Sequence, residues 1–257
     1  MQQAIDKLKE QNRDKASDEQ DAAIAQLEAM KAKIEEILRQ LREEERELYL
    51  TMLEARFQEM LKAQLRINAD TVRLDSKGED ERGQVHFTKS RDLSLQEQKI
   101  VLSAEKALAL LKEEGSSVAF PEAVEQMKSN METVATRLSK GDTGGTTQLI
   151  ERMIVESLDE MILSLQQELE KMKDEQQQQQ QQQQGQPQDK PLVDQLAELK
   201  MIRSLQNQVN RLTRQVGLDV AGDVAEDADT RSLLQDLSQR QERIQEATYD
   251  LATGRNQ

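Results

Sequence analysis

Residues able to do chemistry are few in this chain, and their spacing excludes more than it offers. His86 is the single histidine and there is no cysteine. Thiol catalysis, disulfides and cysteine-ligated metal therefore drop out, and one imidazole alone cannot make the usual zinc sets. A nucleophile–base arrangement would need His86 held beside a hydroxyl. It stands instead in the least regular stretch of the sequence, where a lone histidine reads as a surface residue. Carboxylates are plentiful, but groups such as Glu43-Glu44-Glu45 read as solvated helix surface. General acid–base work would need a pair whose surroundings separate their pKa values, and the sequence displays none.

Two further stretches look like ligand loops and fail on detail. The acidic run Asp219, Asp223, Glu226, Asp227 and Asp229 lacks the ligand spacing, central glycine and terminal glutamate of a calcium loop. Gly141-Asp142-Thr143-Gly144-Gly145 has no lysine after it and no strand before it, so it reads as a helix break, not a phosphate cradle. The expectation is a protein that is not an enzyme, with no cofactor and no metal.

What repeats is apolar and helical. Leu27, Ile34, Leu41 and Leu48 stand seven apart, with Ala55 next in the row. Ile24, Leu38 and Met52 fill part of a second row at coiled-coil spacing. These seven large residues, Ile24, Leu27, Ile34, Leu38, Leu41, Leu48 and Met52, form the expected coiled-coil interface. No Pro or Gly interrupts Ile24–Leu65, which as a helix would be about 60 Å long. After Met52 the stripe shifts through Leu53, Phe57, Met60, Leu61 and Leu65, predicting more than one neighbour there.

Composition agrees with helix on helix. Aromatics are 2% of 257 residues, tryptophan is absent, and only three prolines and ten glycines occur, which favours long helices and narrow aliphatic seams. The net charge of −14 argues against nucleic acid, whose phosphates need clustered Lys and Arg, and disfavours anionic membrane surfaces. No apolar run is long enough for a transmembrane segment.

The expected organisation is as follows. Residues 1–70 form the long coiled-coil helix. Residues 71–92 are an irregular loop in which Val72-Arg73-Leu74 and Val85-His86-Phe87-Thr88 could pair as a small hairpin. Residues 93–175 form a three-helix unit. Its first helix opens on the capping-box pair Ser94 and Glu97 and stops at Gly115. Its second carries the bundle seam Phe120, Val124, Met127, Met131, Val134 and Leu138, in unbroken steps of four and three. Residues 176–189 are a glutamine-rich linker. Pro191 opens an amphipathic helix over 190–217, 218–229 are an acidic linker, and 230–257 form a last helix with a half-apolar seam. Within the 190–217 helix, Arg203, Arg211 and Arg214 flank the apolar stripe and offer contact to the acidic 219–229 stretch or to an acidic partner.

Several stretches are similar to an uncharacterised group of bacterial helical proteins of planctomycete-type genomes. They are Ile37-Leu38-Arg39-Gln40-Leu41-Arg42-Glu43-Glu44 with Leu53-Glu54-Ala55-Arg56, Val118-Ala119-Phe120-Pro121-Glu122, Leu196-Ala197-Glu198-Leu199-Lys200-Met201-Ile202-Arg203, and Arg240-Gln241-Glu242-Arg243-Ile244. The resemblance brings no activity or ligand. It implies an exported, envelope-facing protein with a leader ahead of the coil. As written the chain reads as cytoplasmic; with such a leader it would be periplasmic.

The expected fold is all-α and elongated: a long coiled-coil helix, a small antiparallel bundle and a C-terminal helical pair. The expected function is structural or scaffolding, through protein partners and self-association into a homo-oligomer. A rival expectation is an accessory subunit of a cell-envelope transport or motor complex.

Overall fold

In a computed structural model of the chain, the described residues are 2, 5, 9, 13–76, 83–179, 191–219 and 228–254. Among them there are six helices and no strand, so the fold is all-α. The helices are α1 (Arg13–Asp75), α2 (Gln84–Glu114), α3 (Ala119–Ser139), α4 (Gly145–Gln179), α5 (Gln195–Asp219) and α6 (Ala228–Thr253). The chain divides into two compact units. One is Met1–Leu48 with Gln183–Asp189; the other is Tyr49–Gln182 with Lys190–Gln257.

The larger unit is organised by α3, which packs against α2, α4, α5 and α6. Phe120, Val124, Met127, Met131, Val134 and Leu138 are all buried, and Ala119, Ala123 and Ala135 are buried beside them. The alanines matter because small side chains let neighbouring backbones approach. Polar cross-links fix the directions. Ser90 and Ser94 of α2 donate to the Leu138 and Ala135 carbonyls at 2.6 and 2.7 Å, so α2 and α3 run antiparallel. Glu156 and Ser157 of α4 meet Arg211 and Gln208 of α5, while Lys171 meets Asp194, so that pair is antiparallel too.

The C-terminal part of α1 belongs to this core. Leu50, Leu53, Phe57, Met60, Gln64, Ile67, Thr71 and Leu74 are buried, again in steps of three and four. Leu65, expected on that stripe, is exposed.

Four expectations about organisation are corrected. The hairpin does not form: Val72–Leu74 are the last turn of α1 and Val85–Thr88 open α2. Thr71 and Leu74 extend the buried row of Ile67, and His86, Ser90, Leu93, Ser94 and Glu97 extend that of Ile100. The helical period is therefore intact, but written in polar residues. Ser94 and Glu97 are accordingly mid-helix core residues rather than a cap. The C-terminal pair is not separate from the three-helix unit, because α3 contacts both its helices. Finally, α5 begins at Gln195, not Pro191. Asp194 caps it by accepting from the Ala197 N–H at 2.8 Å, while Leu192 and Val193 before it are buried. The glutamine tract beyond Gln179 and residues 220–227 of the acidic stretch lie outside the described residues.

Helix ends show where glycine is required. Gly115 and Gly141 close α2 and α3 with φ of 77° and 81°, the left-handed region. At Gly141 a Cβ would also lie 2.6 Å from Phe87 Cε1, whereas at Gly115 it meets only carbonyl oxygens at 3.9 Å. Gly115→Ala should cost about 1–2 kcal/mol in urea unfolding, from backbone strain alone. Gly141→Ala should cost measurably more, because the Phe87 ring must also move. Equal losses would mean the ring swings aside freely.

Candidate functional site

Two features stand apart from ordinary packing: an apolar row on α1 with no cover, and a cluster of carboxyl groups in the dry interior of the larger unit.

The row is built by α1 alone. Every expected interface residue is exposed, from 41% at Met52 to 59% at Leu48. Met30 and Ile37, which sequence reasoning missed, are equally exposed and widen the row on one side. They lie three residues after Leu27 and Ile34, so the spacing would have found them. Leu48 and Leu50 stand two residues apart, hence on opposite sides of a helix; Leu50 is fully buried and Leu48 is not. Between the apolar residues run local ion pairs. Arg39 binds Glu36 through two nitrogens, at 2.6 and 3.1 Å, and lies 3.7 Å from Glu43; Lys31 lies 3.7 Å from Glu35. The Arg39 guanidinium holds the Glu36 carboxyl below its ordinary range. Such exposed pairs keep the helix soluble and straight at small energetic gain.

The interior cluster joins α1, α2 and α4. Glu97 Oε2 accepts from Gln64 Nε2 at 3.1 Å, and the same amide donates to Asn68 at 2.9 Å. Glu151 Oε1 accepts from the Thr71 hydroxyl at 2.6 Å. The other carboxyl oxygens, Glu97 Oε1 and Glu151 Oε2, have no hydrogen-bond partner. Burial pushes Glu97 up to about 8, against the pull of the Gln64 hydrogen bond, and the Glu151 charge pushes it further. Burial pushes Glu151 up to about 7, eased by Thr71 and by the Arg152 charge. Glu97 is thus a neutral acid at physiological pH. Both carboxyls are shifted in the same direction by the same cause, burial, which the sequence did not display. Both are almost fully shielded from water. Among the described residues no group of His, Asp or Glu is placed to hold a metal ion.

Other buried polar groups tie helices together. Glu198 of α5 accepts from the Ser117 hydroxyl and from the Val118 and Ala119 N–H groups, at 3.3 and 2.5 Å for the last two. It therefore caps the N-terminus of α3 from another helix, where a carboxylate complements the helix dipole. Arg240 of α6 donates to Asn130 Oδ1 of α3 at 2.7 Å and pairs with Asp236.

His86, expected on the surface, is buried at 2% exposure. Its Nε2 lies 3.0 Å from the Gly141 carbonyl, so it fastens the start of α2 to the end of α3. Of the three arginines, Arg211 pairs with Glu156 of α4, while most of the 219–229 stretch expected as a contact lies outside the described residues. Arg203 and Arg214 are exposed.

No family model, curated protein or solved structure matches the chain.

The buried acids set a pH dependence. In the unfolded chain both release their protons near the ordinary 4.5; in the fold Glu97 keeps its proton to about 8 and Glu151 to about 7. Between those limits the native state binds more protons than the unfolded one, so stability falls as pH rises and levels off above about 8. Glu97→Gln should flatten that fall by on the order of a few kcal/mol. Thermal melts should place its Tm above the parent's at about pH 8 and close to it at about pH 5. A parent-like slope would mean that Glu97 is hydrated.

Proposed function

We propose that this protein is a non-enzymatic structural or scaffolding component that self-associates through the α1 face running from Ile24 to Met52. The reading is carried by one observation: all seven large apolar residues of that face are solvent-exposed in the single chain. The larger unit has its own core of buried, mostly aliphatic residues spread over all six helices, and none of these seven is among them. An isolated exposed leucine is unremarkable, but a heptad-spaced row of them is a surface built for another helix. Burying one such side chain is worth about 1.5–3 kcal/mol, so a few of them on each copy suffice for association.

The charge pattern supports a protein partner over other classes. The net charge is −14, the row carries Glu28, Glu35 and Arg42 along one flank, and among the described residues no helix is long and apolar enough to cross a membrane. The interior acids of α2 and α4 belong to the core and to its pH response.

The test is to place charge in the row without touching the core. Ile34→Asp with Leu41→Asp should convert a heavier species into a monomer on sedimentation velocity, while the thermal melt of the larger unit stays within about 0.5 kcal/mol of the parent. An unchanged mass in the variant, or a monomeric parent across the concentration range, would overturn the proposal.

A further inference from the structure

The second row on α1 has two gaps, and their identities say how two copies would align. Ile24, Leu38 and Met52 hold three of its positions; the heptad steps between them are Lys31 and Glu45. Lys31 stands seven residues before Leu38 and Glu45 seven after, so opposite charges sit symmetrically about the middle of the face. Both side chains are exposed, and the 3.7 Å contact between Lys31 and Glu35 is an exposed pair within one helix. Such a pair is cheaply exchanged for another.

We propose that the α1 faces of two copies pair antiparallel, centred between Leu38 and Leu41, with the charges of this row selecting the direction. This rests on the self-association reading above and deepens it by naming the partner as a second copy in a defined orientation. In a parallel, in-register pair each position of the row meets itself. Lys31 would face Lys31 and Glu45 would face Glu45 in the seam, both repulsive. In the antiparallel pair Leu38 meets Leu41 of the second copy, Lys31 packs beside Leu48, and Ile34 beside Glu45. Lys31 and the second copy's Glu45 then occupy neighbouring layers about 5 Å apart along the axis, within reach of two long side chains.

The flank agrees independently. Glu35 and Arg42 each follow a residue of the first row, Ile34 and Leu41, by one position, so both lie on the same flank. Reversing one helix sets this flank against itself, and Glu35 meets Arg42 of the second copy. A parallel pair would set it against the flank carrying Met30 and Ile37, leaving Arg42 against an apolar side chain. Because a two-fold pair is isologous, each attractive contact occurs twice. Charges of this kind contribute little raw affinity but discriminate strongly between orientations.

The absence of cysteine makes the test simple. Single nitroxide labels are placed on the full chain through Gln26→Cys or Gln40→Cys, two exposed positions off both rows. Electron–electron distances are then measured between copies. The antiparallel pair predicts labels within about 25 Å at position 40. At position 26 it predicts about 40 Å, since the two sites lie on opposite sides of the centre. Short distances at both positions mean a parallel pair and overturn this inference while leaving self-association intact. No distance between copies at either position overturns self-association itself.

A charge swap gives a second readout. Lys31→Glu should raise the dimer dissociation constant about fivefold to tenfold, and Lys31→Glu with Glu45→Lys should restore it. Equal constants for all three proteins would contradict the antiparallel assignment.

Discussion

The structure depends on keeping α3 dry. Four other helices lie against it, and its seam residues from Phe120 to Leu138 are essentially inaccessible to water, with Gln126 and Asn130 buried among them. Among the described helices no other is packed against as many neighbours. A helix so enclosed must find partners for its polar ends inside the protein, and it does. Its N-terminal N–H groups are met by Glu198 from α5. Its last turn is met by Ser90, Ser94 and His86 from α2. Removing Glu198 would strand the Val118 and Ala119 N–H groups in a medium where an unmade hydrogen bond costs about 1–3 kcal/mol.

The same requirement explains the cost accepted at Glu97 and Glu151. α2 and the end of α1 bury a face that carries glutamine, threonine, serine and glutamate as well as leucine. The hydrogen bonds Gln64 to Glu97 and Thr71 to Glu151 tie α1 to two other helices by direction, where aliphatic contact alone would tolerate slippage. Buried acids retained in this way oppose stability as pH rises. The α1 row from Ile24 to Leu48 shows the reverse economy. Its helix is supported by local ion pairs, and its apolar side chains stay in water. One unit is complete within the chain; the other presents a surface.

What the sequence revealed follows from these differences. The α3 seam was legible because its six large apolar residues keep steps of four and three without a break, whereas the buried Gln126 and Asn130 beside them gave no such signal. The α1 row shows in the sequence as a seven-residue spacing with charged gaps at Lys31 and Glu45. The start of α2 was not legible, since its buried face is His86, Ser90, Ser94 and Glu97, which in one dimension look like loop and cap. Val72–Leu74 and Val85–Thr88 looked like strands because β-branched residues cluster there, yet tertiary burial of Thr71 and Leu74 carried the helix on. Glu97, Glu151 and Glu198 were invisible as a class. A glutamate on a helix reads the same whether it faces water or another helix, and only the neighbours' positions decide. Arg211 was seen as an acid-seeking group, but its partner lies far away in sequence.

Hydrogen exchange of the full chain, read by mass spectrometry at high and low protein concentration, tests the central claim most directly. The claim is that the core around α3 is complete in one chain while the α1 face is completed by another copy. Amides of residues 119–138 should then exchange slowly at both concentrations, and those of residues 24–48 should lose protection on dilution. Protection of 24–48 that does not change with concentration, or is absent throughout, would contradict it.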